Sequence, residues 1–298
     1  MTFGFWPRDA ERILFADSFR PAGEPWLRLG AWSGDGTLAG LAECELSESG
    51  AWLRGDADAS LAVSREFRRR GIGGELARRI EEFAERHNVR RLRTRTVDSE
   101  LEVADPFLRK RGFQETEREQ TSVLMLPGNG LDRLDGLRED LRRQGIETAA
   151  FSEIDGEASR RSLYQTACAV EHDMPTIEEW DDPSIDTFLR NWFAAPGARR
   201  EAIFVALEGG TVVGISSILL RADGDAEVGI TGVLESHRRR GIARVLKLMV
   251  SRYAVEHRIP RIHTDNNAVN AGMLALNRAL GFQPGAVIIT FERRLRKT

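Results

Sequence analysis

Two short stretches of the sequence carry residue types that bind anions, and they are the same pentapeptide. Arg-Arg-Arg-Gly-Ile occurs at Arg68–Ile72 and again at Arg238–Ile242, 170 residues later. In each copy an apolar, strand-like stretch precedes the arginines and a helical pattern follows the glycine. The free N–H groups and the dipole at a helix N-terminus attract anions, glycine lets the backbone approach a ligand, and arginine hydrogen-bonds phosphate. The spacing therefore predicts a phosphate-binding turn in each half of the chain.

The match extends beyond the pentapeptide. The same offset of 170 relates residues on both sides of it, namely Val63 to Val233, Leu76 to Leu246, and Thr94 to Thr264. Each copy later reaches a Gly-Phe pair, Gly112-Phe113 and Gly281-Phe282, at an offset of 169. A solvated turn capped by arginines would explain one copy, but a chance pentapeptide does not keep its flanks in register. The chain is therefore predicted to contain two copies of one domain.

Composition narrows the function classes. The 298 residues are 41% hydrophobic and 30% charged, as in typical globular proteins. Lys and Arg number 43 against 46 Asp and Glu, so the arginine clusters are local and nucleic-acid binding is disfavoured. Cys44 and Cys168 are the two cysteines, and without a closely spaced Cys/His set we expect no metal site. Without a leader pattern or a long apolar run, we expect a cytoplasmic protein with no membrane partner.

Chain breakers separate the two copies. Pro127, Gly128 and Gly130 interrupt the pattern, and leucines at helical spacing follow them. We expect three segments, which are an N-terminal domain over 1–126, a linker with a helix over 127–146, and a C-terminal domain over 147–298.

The second copy shows the order of elements most clearly. Gly209-Gly210 divides 203–220 into a predicted hairpin, and 227–233 predicts a third strand. A helix is predicted from Ile242, a second helix over 270–280, and a final strand over 286–292. This alternation predicts an α/β (mixed α+β) architecture in which each domain has a mixed, mostly antiparallel sheet flanked by helices.

These residues resemble the GNAT superfamily of acyl-CoA-dependent N-acyltransferases, whose phosphate-binding signature is [QR]-x-x-G-x-[GA]. The signature is matched in both halves, by Arg238, Gly241 and Ala243 and by Arg68, Gly71 and Gly73. A second family stretch is matched only in the second half, by Thr264, Asn266, Asn270, Met273, Asn277, Leu280, Gly281 and Phe282. The resemblance is greatest to tandem GNAT proteins of the mycothiol synthase-like type.

The resemblance implies acetyl-CoA as cosubstrate, with its pyrophosphate held by the turn between the fourth strand and third helix of the fold. In the second half it implies binding by Thr231, Gly232, Val233, Arg238, Arg239, Arg240, Gly241, Ile242, Ala243, Asn270 and Asn277. In the first half it implies a weaker set, Val63, Arg68, Arg69, Arg70, Gly71, Ile72 and Gly73. Glu100 stands where the second half has Asn270, and the first half lacks the Asn-rich run. We therefore expect the C-terminal domain to be the catalytic one.

The resemblance also implies the catalytic groups. A backbone N–H near the end of the fourth strand polarises the thioester carbonyl in this family, and by position that group is Val233. A carboxylate can take the proton of the attacking ammonium. Glu227 lies an even number of residues before Thr231, so we expect both to face one side, and Glu227 is the candidate base. An exposed strand residue is the alternative reading of Glu227. The family's frequent tyrosine is replaced by Asn277, which leaves water to protonate the thiolate.

The acceptor is expected to bind at the acidic segment 167–183, which has no Lys or Arg. Such a segment attracts cationic amines, although a simply solvated run is the alternative. The candidate residues are Glu171, His172, Asp173 and Trp180. The leading hypothesis is an acetyl-CoA-dependent N-acetyltransferase acting on the amine of a small molecule. A non-catalytic acyl-CoA-binding or regulatory protein is the alternative, and an RNA-binding module is disfavoured by the charge balance.

Overall fold

The computed structural model describes residues 10–18, 25–46, 55–174 and 182–295. These residues fall into two compact units. Unit 1 contains the described residues up to Glu119, together with Asp182 and 286–295. Unit 2 contains the described residues from Gln120 to 174 and from Pro183 to Gly285.

Unit 1 is a sheet with the helix that follows the first arginine turn on one face. Its elements are α1 Ala10–Ser18, β1 Trp26–Trp32, β2 Leu38–Leu46, β3 Asp56–Val63, α2 Ile72–Arg86, β4 Arg91–Val97, α3 Leu101–Arg109, the first half of β5 Gln114–Met125, and most of β11 Gln283–Arg294. The strands follow the order β1-β2-β3-β4-β11, antiparallel except for the parallel pair β3–β4.

The helix α2 is held to this sheet by an apolar stripe. Leu76, Ile80 and Phe83 recur at helical spacing and are buried with Leu92 of β4. Burying each such side chain contributes roughly 1.5–3 kcal/mol. Glu75, Arg78 and their neighbours form ion pairs on the solvent face.

Unit 2 contains the second copy. Its elements are the second half of β5, α4 Leu134–Arg143, β6 Ile146–Ala150, α5 Glu157–His172, α6 Ile185–Ala194, β7 Ile203–Glu208, β8 Thr211–Leu220, β9 Ala226–Val233, α7 Ile242–Glu256, β10 Arg261–Asn267 and α8 Ala271–Ala279. The strands follow the order β5-β10-β9-β8-β7-β6, with β9 and β10 parallel and β6 to β9 antiparallel. The predicted hairpin around Gly209-Gly210 is confirmed, as are the helix from Ile242 and the linker helix.

Two apolar clusters cover the two faces of the unit 2 sheet. One cluster joins α7 to the sheet through residues such as Leu246, Met249 and Ile262. The other joins α5 and α6 to the opposite face through residues such as Leu163 and Ile230. The leucines of the linker helix α4 pack into the α7 cluster, with Leu134 and Leu141 fully buried.

The last strand lies outside the domain expected for it. The sequence places 286–292 in the C-terminal domain, but residues 286–294 of β11 belong to unit 1. There they pair antiparallel with β4, from Ile288 opposite Val97 to Arg294 opposite Arg91. The apolar, β-branched run Ala-Val-Ile-Ile-Thr-Phe-Glu predicts a strand, but such a run does not say which sheet edge the strand joins. Among the described helices, none combines the length and apolarity required to cross a bilayer.

Candidate functional site

The candidate site begins where the two parallel strands of unit 2 separate. β9 and β10 pair at two rungs, Ala226 with Ile262 and Glu227 with His263. β9 then continues to Val233, and no later residue of it pairs with the described residues of β10. The edge of β9 that faces away from β8 is therefore open beyond Glu227. We call this open edge the splay.

A β-bulge lies at the start of the splay. Ser217 pairs with Ile230 and Ile218 pairs with Val228, so Gly229 is an extra residue in β9. The corresponding pair in unit 1, β2 with β3, runs over its whole length without a register shift. Bulges bend a strand and re-aim its side chains, and they recur beside active sites. This bulge is therefore a difference between the two copies at the place where chemistry is expected.

The bulge reverses the alternation of side chains along β9. Along β8, Ser216 and Leu219 face opposite sides of the sheet. Thr231 lies opposite Ser216, with its Oγ1 2.8 Å from Ser216 Oγ, and Glu227 lies opposite Leu219. Glu227 and Thr231 therefore face opposite sides, and the prediction that they share one side is wrong. An even spacing implies a shared side only in a strand without an inserted residue.

Glu227 lies on the side of the sheet covered by α5 and α6. Ile230, on that side, packs with α5, whereas Ala226 packs with the α7 cluster. Glu227 is half-buried, and its Oε2 atom is shielded from solvent. A Cβ built on Gly232 would lie 1.9 Å from Val170 Cγ1 of α5. Gly232 is therefore required by the close approach of α5, while the bulge itself is at Gly229.

Two backbone N–H groups of β9 point into the splay. The Leu234 N–H donates to the Val213 carbonyl of β8 at 3.0 Å. In an antiparallel pair the residues that bond across the ladder alternate, so the N–H groups of Thr231 and Val233 point away from β8. The Val233 carbonyl points the same way and accepts the Arg238 Nε–H at 3.1 Å. The splay therefore offers a row of strand-like donors next to the arginine turn.

The turn after β9 has the geometry of an anion cradle. Arg239 (φ 61°) and Gly241 (φ 89°) are both left-handed, and Gly241 is the N-cap of α7. Successive N–H groups in such a conformation converge on one point. No atom of the described residues lies within 4 Å of a Cβ built on Gly241, and no side chain caps α7. Its first turn also contains no acidic residue, so a pyrophosphate fits the charge and space at this helix end.

The three arginines of the turn have different partners. Besides Val233, Arg238 bonds Asp173 Oδ2 at 2.7 Å. Arg240 bonds the Gln144 carbonyl at 2.9 Å and Glu208 Oε1 at 3.2 Å. Arg239 is exposed and has no side-chain partner in the described part of the chain, so it is the arginine left for a ligand.

His237 and Arg240 of the turn both contact the carboxylate of Glu208, at the end of β7. His237 Nε2 lies 3.0 Å from Glu208 Oε2, and its Nδ1 lies 2.8 Å from Ser236 Oγ. The hydrogen bond with His237, followed by that from Arg240, lowers the pKa of Glu208. Glu208 thus stays ionised at neutral pH and ties the end of β7 to the turn.

Ile242 and Ala243 can offer a ligand their backbone N–H groups rather than their side chains. The Ile242 side chain is buried in the core, and Ala243 packs against the same cluster. Their N–H groups lie in the first turn of α7, which leaves the backbone as their means of contacting phosphate.

The two predicted asparagines at α8 both form hydrogen bonds within the fold. Asn270 caps α8, with its Oδ1 accepting the Met273 N–H at 3.1 Å. Asn277 is 1% exposed and its Nδ2 donates to Asn266 Oδ1 at 2.7 Å. The Oδ1 atom of Asn277 is buried and meets no donor among the described residues. Asn277 therefore has one buried polar atom that the described residues leave without a hydrogen bond.

The acceptor candidates are brought partly together. Glu171 and His172 end α5, and Asp173 follows as its C-cap. The ion pair of Asp173 with Arg238 joins a predicted acceptor residue to the predicted phosphate turn. Trp180 lies outside the described residues.

Sequence reasoning missed a polar cluster beside the last rung before β9 and β10 separate, which we call the apex of the splay. Asp225, which is 1% exposed, lies with Oδ2 2.7 Å from His263 Nε2, and its Oδ1 accepts the Arg261 Nε–H at 3.0 Å. His263 is also the rung partner of Glu227. Asp225 and His263 are 38 residues apart, and only the parallel pairing across α7 brings them together. No local sequence signal marks them.

A buried lysine was also missed. Lys247 of α7 is 4% exposed, and its Nζ lies 4.9 Å from the centre of the Phe282 ring. Burial lowers the pKa of Lys247 to about 8. Its counterpart in α2 is Ala77, which is also buried.

The turn of unit 1 repeats the backbone but not the surroundings. Arg69 (φ 64°) and Gly71 (φ 88°) are left-handed, and Arg68 Nε donates to the Val63 carbonyl at 3.1 Å. Arg68 and Arg65 both bond Glu100, each at 3.0 Å. Hydrogen bonds from Arg65, then Arg68, lower the pKa of Glu100, so an intramolecular carboxylate stands beside this turn.

No group of three or more His, Cys, Asp or Glu side chains in the described residues is arranged to hold a metal ion.

Comparison with known proteins places these features in one family. No curated protein sequence matches the chain. Solved structures with the same fold include a tandem GNAT protein from the clavulanic acid biosynthesis pathway, at 18% identity and a TM-score of 0.73, covering 100% of this chain and 91% of that one. A GCN5-related N-acetyltransferase from Sphaerobacter thermophilus is 17% identical with a TM-score of 0.72, covering 97% and 86%.

The family model of the acetyltransferase (GNAT) family matches two regions, residues 1–113 and 166–282, which together exceed half of the chain. Enzymes of this family use acetyl-CoA. The chain therefore belongs to the GNAT family of acetyltransferases and carries two GNAT-like regions in tandem.

Proposed function

We infer that the protein transfers an acetyl group from acetyl-CoA to the primary amine of a small molecule, and that unit 2 carries the reaction. The observation that carries this proposal is the splay of unit 2. There the bulge at Gly229, two outward N–H groups and an uncapped helix end at Gly241 follow one another along one edge. An extended thioester arm can pair with such an edge as a strand would, with its phosphates at the helix end.

Strand geometry favours Thr231 over Val233 as the donor to the thioester carbonyl. The rise along a strand is about 3.3 Å per residue, so Thr231 lies roughly 10–13 Å from Glu227 and Val233 roughly 17–20 Å. A base must reach the reacting amine directly or through one water. The Thr231 N–H is nearer to Glu227, so a carbonyl bound there lies closer to the proposed base. The Val233 N–H, predicted as the carbonyl donor, would then bind the pantetheine-like arm of the thioester nearer the phosphates. An N–H aimed at the developing oxyanion is a large contributor to rate, about 3–4 kcal/mol in measured cases.

Glu227 is the proposed receiver of the ammonium proton. It is half-buried at the apex of the splay, on the side of α5 and α6, where the acceptor candidates Glu171 and Asp173 also originate. Water is the proposed acid for the thiolate, because Asn277 has no proton to lose at neutral pH.

The test is an assay of free CoA release with acetyl-CoA and a panel of small amines, including amino sugars, diamines and aminoacyl derivatives. We expect amine-dependent release from the full chain, and a rise in melting temperature on adding acetyl-CoA. Stabilisation by acetyl-CoA without release for any amine would instead support an acyl-CoA-binding protein. Absence of both would reject the proposal.

A further inference from the structure

Two carboxylates and a histidine lie together at the last rung before β9 and β10 separate. Asp225, directly before β9, lies on the same side of the sheet as Glu227 of β9 and His263 of β10, since Ala226 and Ile262 pack on the other side. Directly paired residues of neighbouring strands are about 4.7–4.9 Å apart at their backbones. Glu227 and His263 are therefore adjacent at the last rung before the strands separate.

Asp225 fixes the orientation of the His263 ring. The carboxylate is 1% exposed and bonds His263 Nε2 at 2.7 Å, while Arg261 compensates its charge at 3.0 Å. A carboxylate that accepts the proton of one ring nitrogen leaves the other nitrogen as the acceptor. The neutral ring then carries its hydrogen on Nε2 and can receive a proton at Nδ1.

Carboxylates and one guanidinium group surround this ring. Asp225, Glu227 and Asp265 are on the same side of β9 and β10, Asp223 lies in the preceding turn, and Arg261 is the opposing cation. The His263 side chain is 17% exposed, so the ring is partly sheltered while keeping a route to solvent. Histidine exchanges protons near neutral pH, which suits it to accept one from a neighbouring carboxylate.

We propose that His263 is the proton acceptor behind Glu227 in acetyl transfer and that Asp225 is its positioning residue; this rests on the acetyl transfer proposed above. The amine nitrogen bonds the acetyl carbon as the C–S bond breaks. The ammonium proton passes to Glu227 and then to His263 Nδ1, which releases it to solvent. The nitrogen loses its second proton to water as the amide forms, and water returns a proton to the thiolate. Amide, free CoA and one released proton are the products.

The unit 1 copy lacks this arrangement. The counterpart of His263 is Arg93, which bonds Glu292 at 3.1 Å and cannot accept a proton. The counterpart of Asp225 is Asp56, which pairs with Arg91 as Asp225 pairs with Arg261. The ion pair is thus common to both copies, and the histidine is specific to the copy with the bulge.

The test is the pH dependence of kcat/KM for the amine, measured between pH 5.5 and 9 on full-length His263→Gln, Asp225→Asn and wild type. Deprotonation of His263 should give wild type an acidic limb that is lost in His263→Gln, with kcat reduced at least tenfold. Asp225→Asn removes the charge that stabilises the imidazolium, so its limb should move to lower pH. His257→Gln is the matched control, since His257 Nδ1 lies 2.8 Å from the Tyr253 carbonyl at the far end of α7.

Acetyl-CoA affinity and melting temperature report whether each variant is folded. If His263→Gln proves unfolded, His263→Ala with added imidazole replaces it, and rescue of the rate supports the proposal. An unaltered acidic limb in folded His263→Gln, or an unmoved limb in folded Asp225→Asn, would overturn the proposal while leaving acetyl transfer intact. A wild-type chain that releases no CoA rejects the proposed function instead, so the two failures are distinct.

Discussion

The two copies share a turn and differ in what lies around it. Both turns have left-handed backbone at the same two positions, and in both the first arginine donates to the carbonyl that ends the preceding strand. The Nε–H of that arginine therefore closes the turn in each copy, while a terminal nitrogen bonds a carboxylate, Glu100 in unit 1 and Asp173 in unit 2. The part of the motif that both copies share determines the backbone conformation of the turn. That conformation alone does not make a binding site.

The differences lie on the strand before the turn and on the helix after it. Val233 lies seven residues after Ala226, whereas Val63 lies six residues after Ala57, and the additional residue is the bulge. α7 has no acid in its first turn, whereas α2 has Glu75. The second copy therefore combines an open donor edge with an uncompensated helix end. The first copy lacks the bulge and places acid near its helix end.

The largest effect should come from closing the cradle of unit 2. Gly241→Glu adds a negative side chain into open space at the pyrophosphate position, and like charges there repel. We expect acetyl-CoA affinity and amine acetylation to fall more than 100-fold, measured by calorimetry and CoA release. Gly71→Glu is the matched control, because it imposes a left-handed non-glycine residue at φ 88° and also enters open space. Equal losses in both variants would contradict assignment of the reaction to unit 2.

The second-largest effect should come from Glu227 of β9, compared with Asp58 at the corresponding position of β3. Glu227→Gln keeps the shape of the side chain and removes its proton-accepting charge. We expect kcat to fall by roughly 100-fold, at the low end of general acid–base contributions, with acetyl-CoA affinity unchanged. Asp58→Asn is the corresponding change in unit 1, where Asp58 is the rung partner of Arg93, and we expect no change in kcat. A Glu227→Gln enzyme with full activity would remove Glu227 from the reaction.

Local features of the site could be predicted from the sequence, and features created by pairing could not. The turns were predictable because arginine, glycine and the helix pattern lie within ten residues of each other. The bulge was not, because an inserted residue shows only in the register of β9 against β8. Because of this inserted residue, the prediction that Glu227 and Thr231 face one side of the sheet is wrong.

The sequence also does not show which residues that are distant along the chain lie next to each other in the fold. Asp225 and His263 meet across a parallel pair separated by a whole helix, so neither residue carries a signal by itself. The final strand is predictable from its run of apolar and β-branched residues, yet its pairing with β4 depends on which sheet edge is open. Lys247 sits within an apolar helix face, where pattern reasoning expects a hydrophobic side chain.

A smaller effect concerns stability and compares Lys247 with Ala77. The pKa of Lys247 is about 8 in the folded chain against an ordinary 10.5, so folding disfavours its charged form. This cost is fully present below pH 8 and declines as pH rises towards 10.5, since the unfolded chain then binds more protons. Lys247→Met should stabilise the protein by about 1–3 kcal/mol at pH 7, less at pH 9.5. Urea unfolding at both pH values measures this, and a gain independent of pH would show that burial of charge is not its cause.

The smallest effect should be a gain of binding in unit 1. Glu100 is held by Arg65 and Arg68 beside the first turn, and its lowered pKa keeps it ionised at neutral pH. Replacing it by the residue at the corresponding position of unit 2, Glu100→Asn, frees both guanidinium groups for an anion. In a Gly241→Glu background, where unit 2 is closed, we expect calorimetry to detect weak CoA binding only when Glu100→Asn is added, and to detect it less at high salt because phosphate contacts are screened. The matched comparison is Glu75→Gln in the same background, which removes an acid from the first turn of α2 without releasing Arg68. Binding restored by Glu75→Gln and not by Glu100→Asn would place the obstruction at the helix end, whereas restoration by Glu100→Asn alone would show that one carboxylate separates the two copies of the turn.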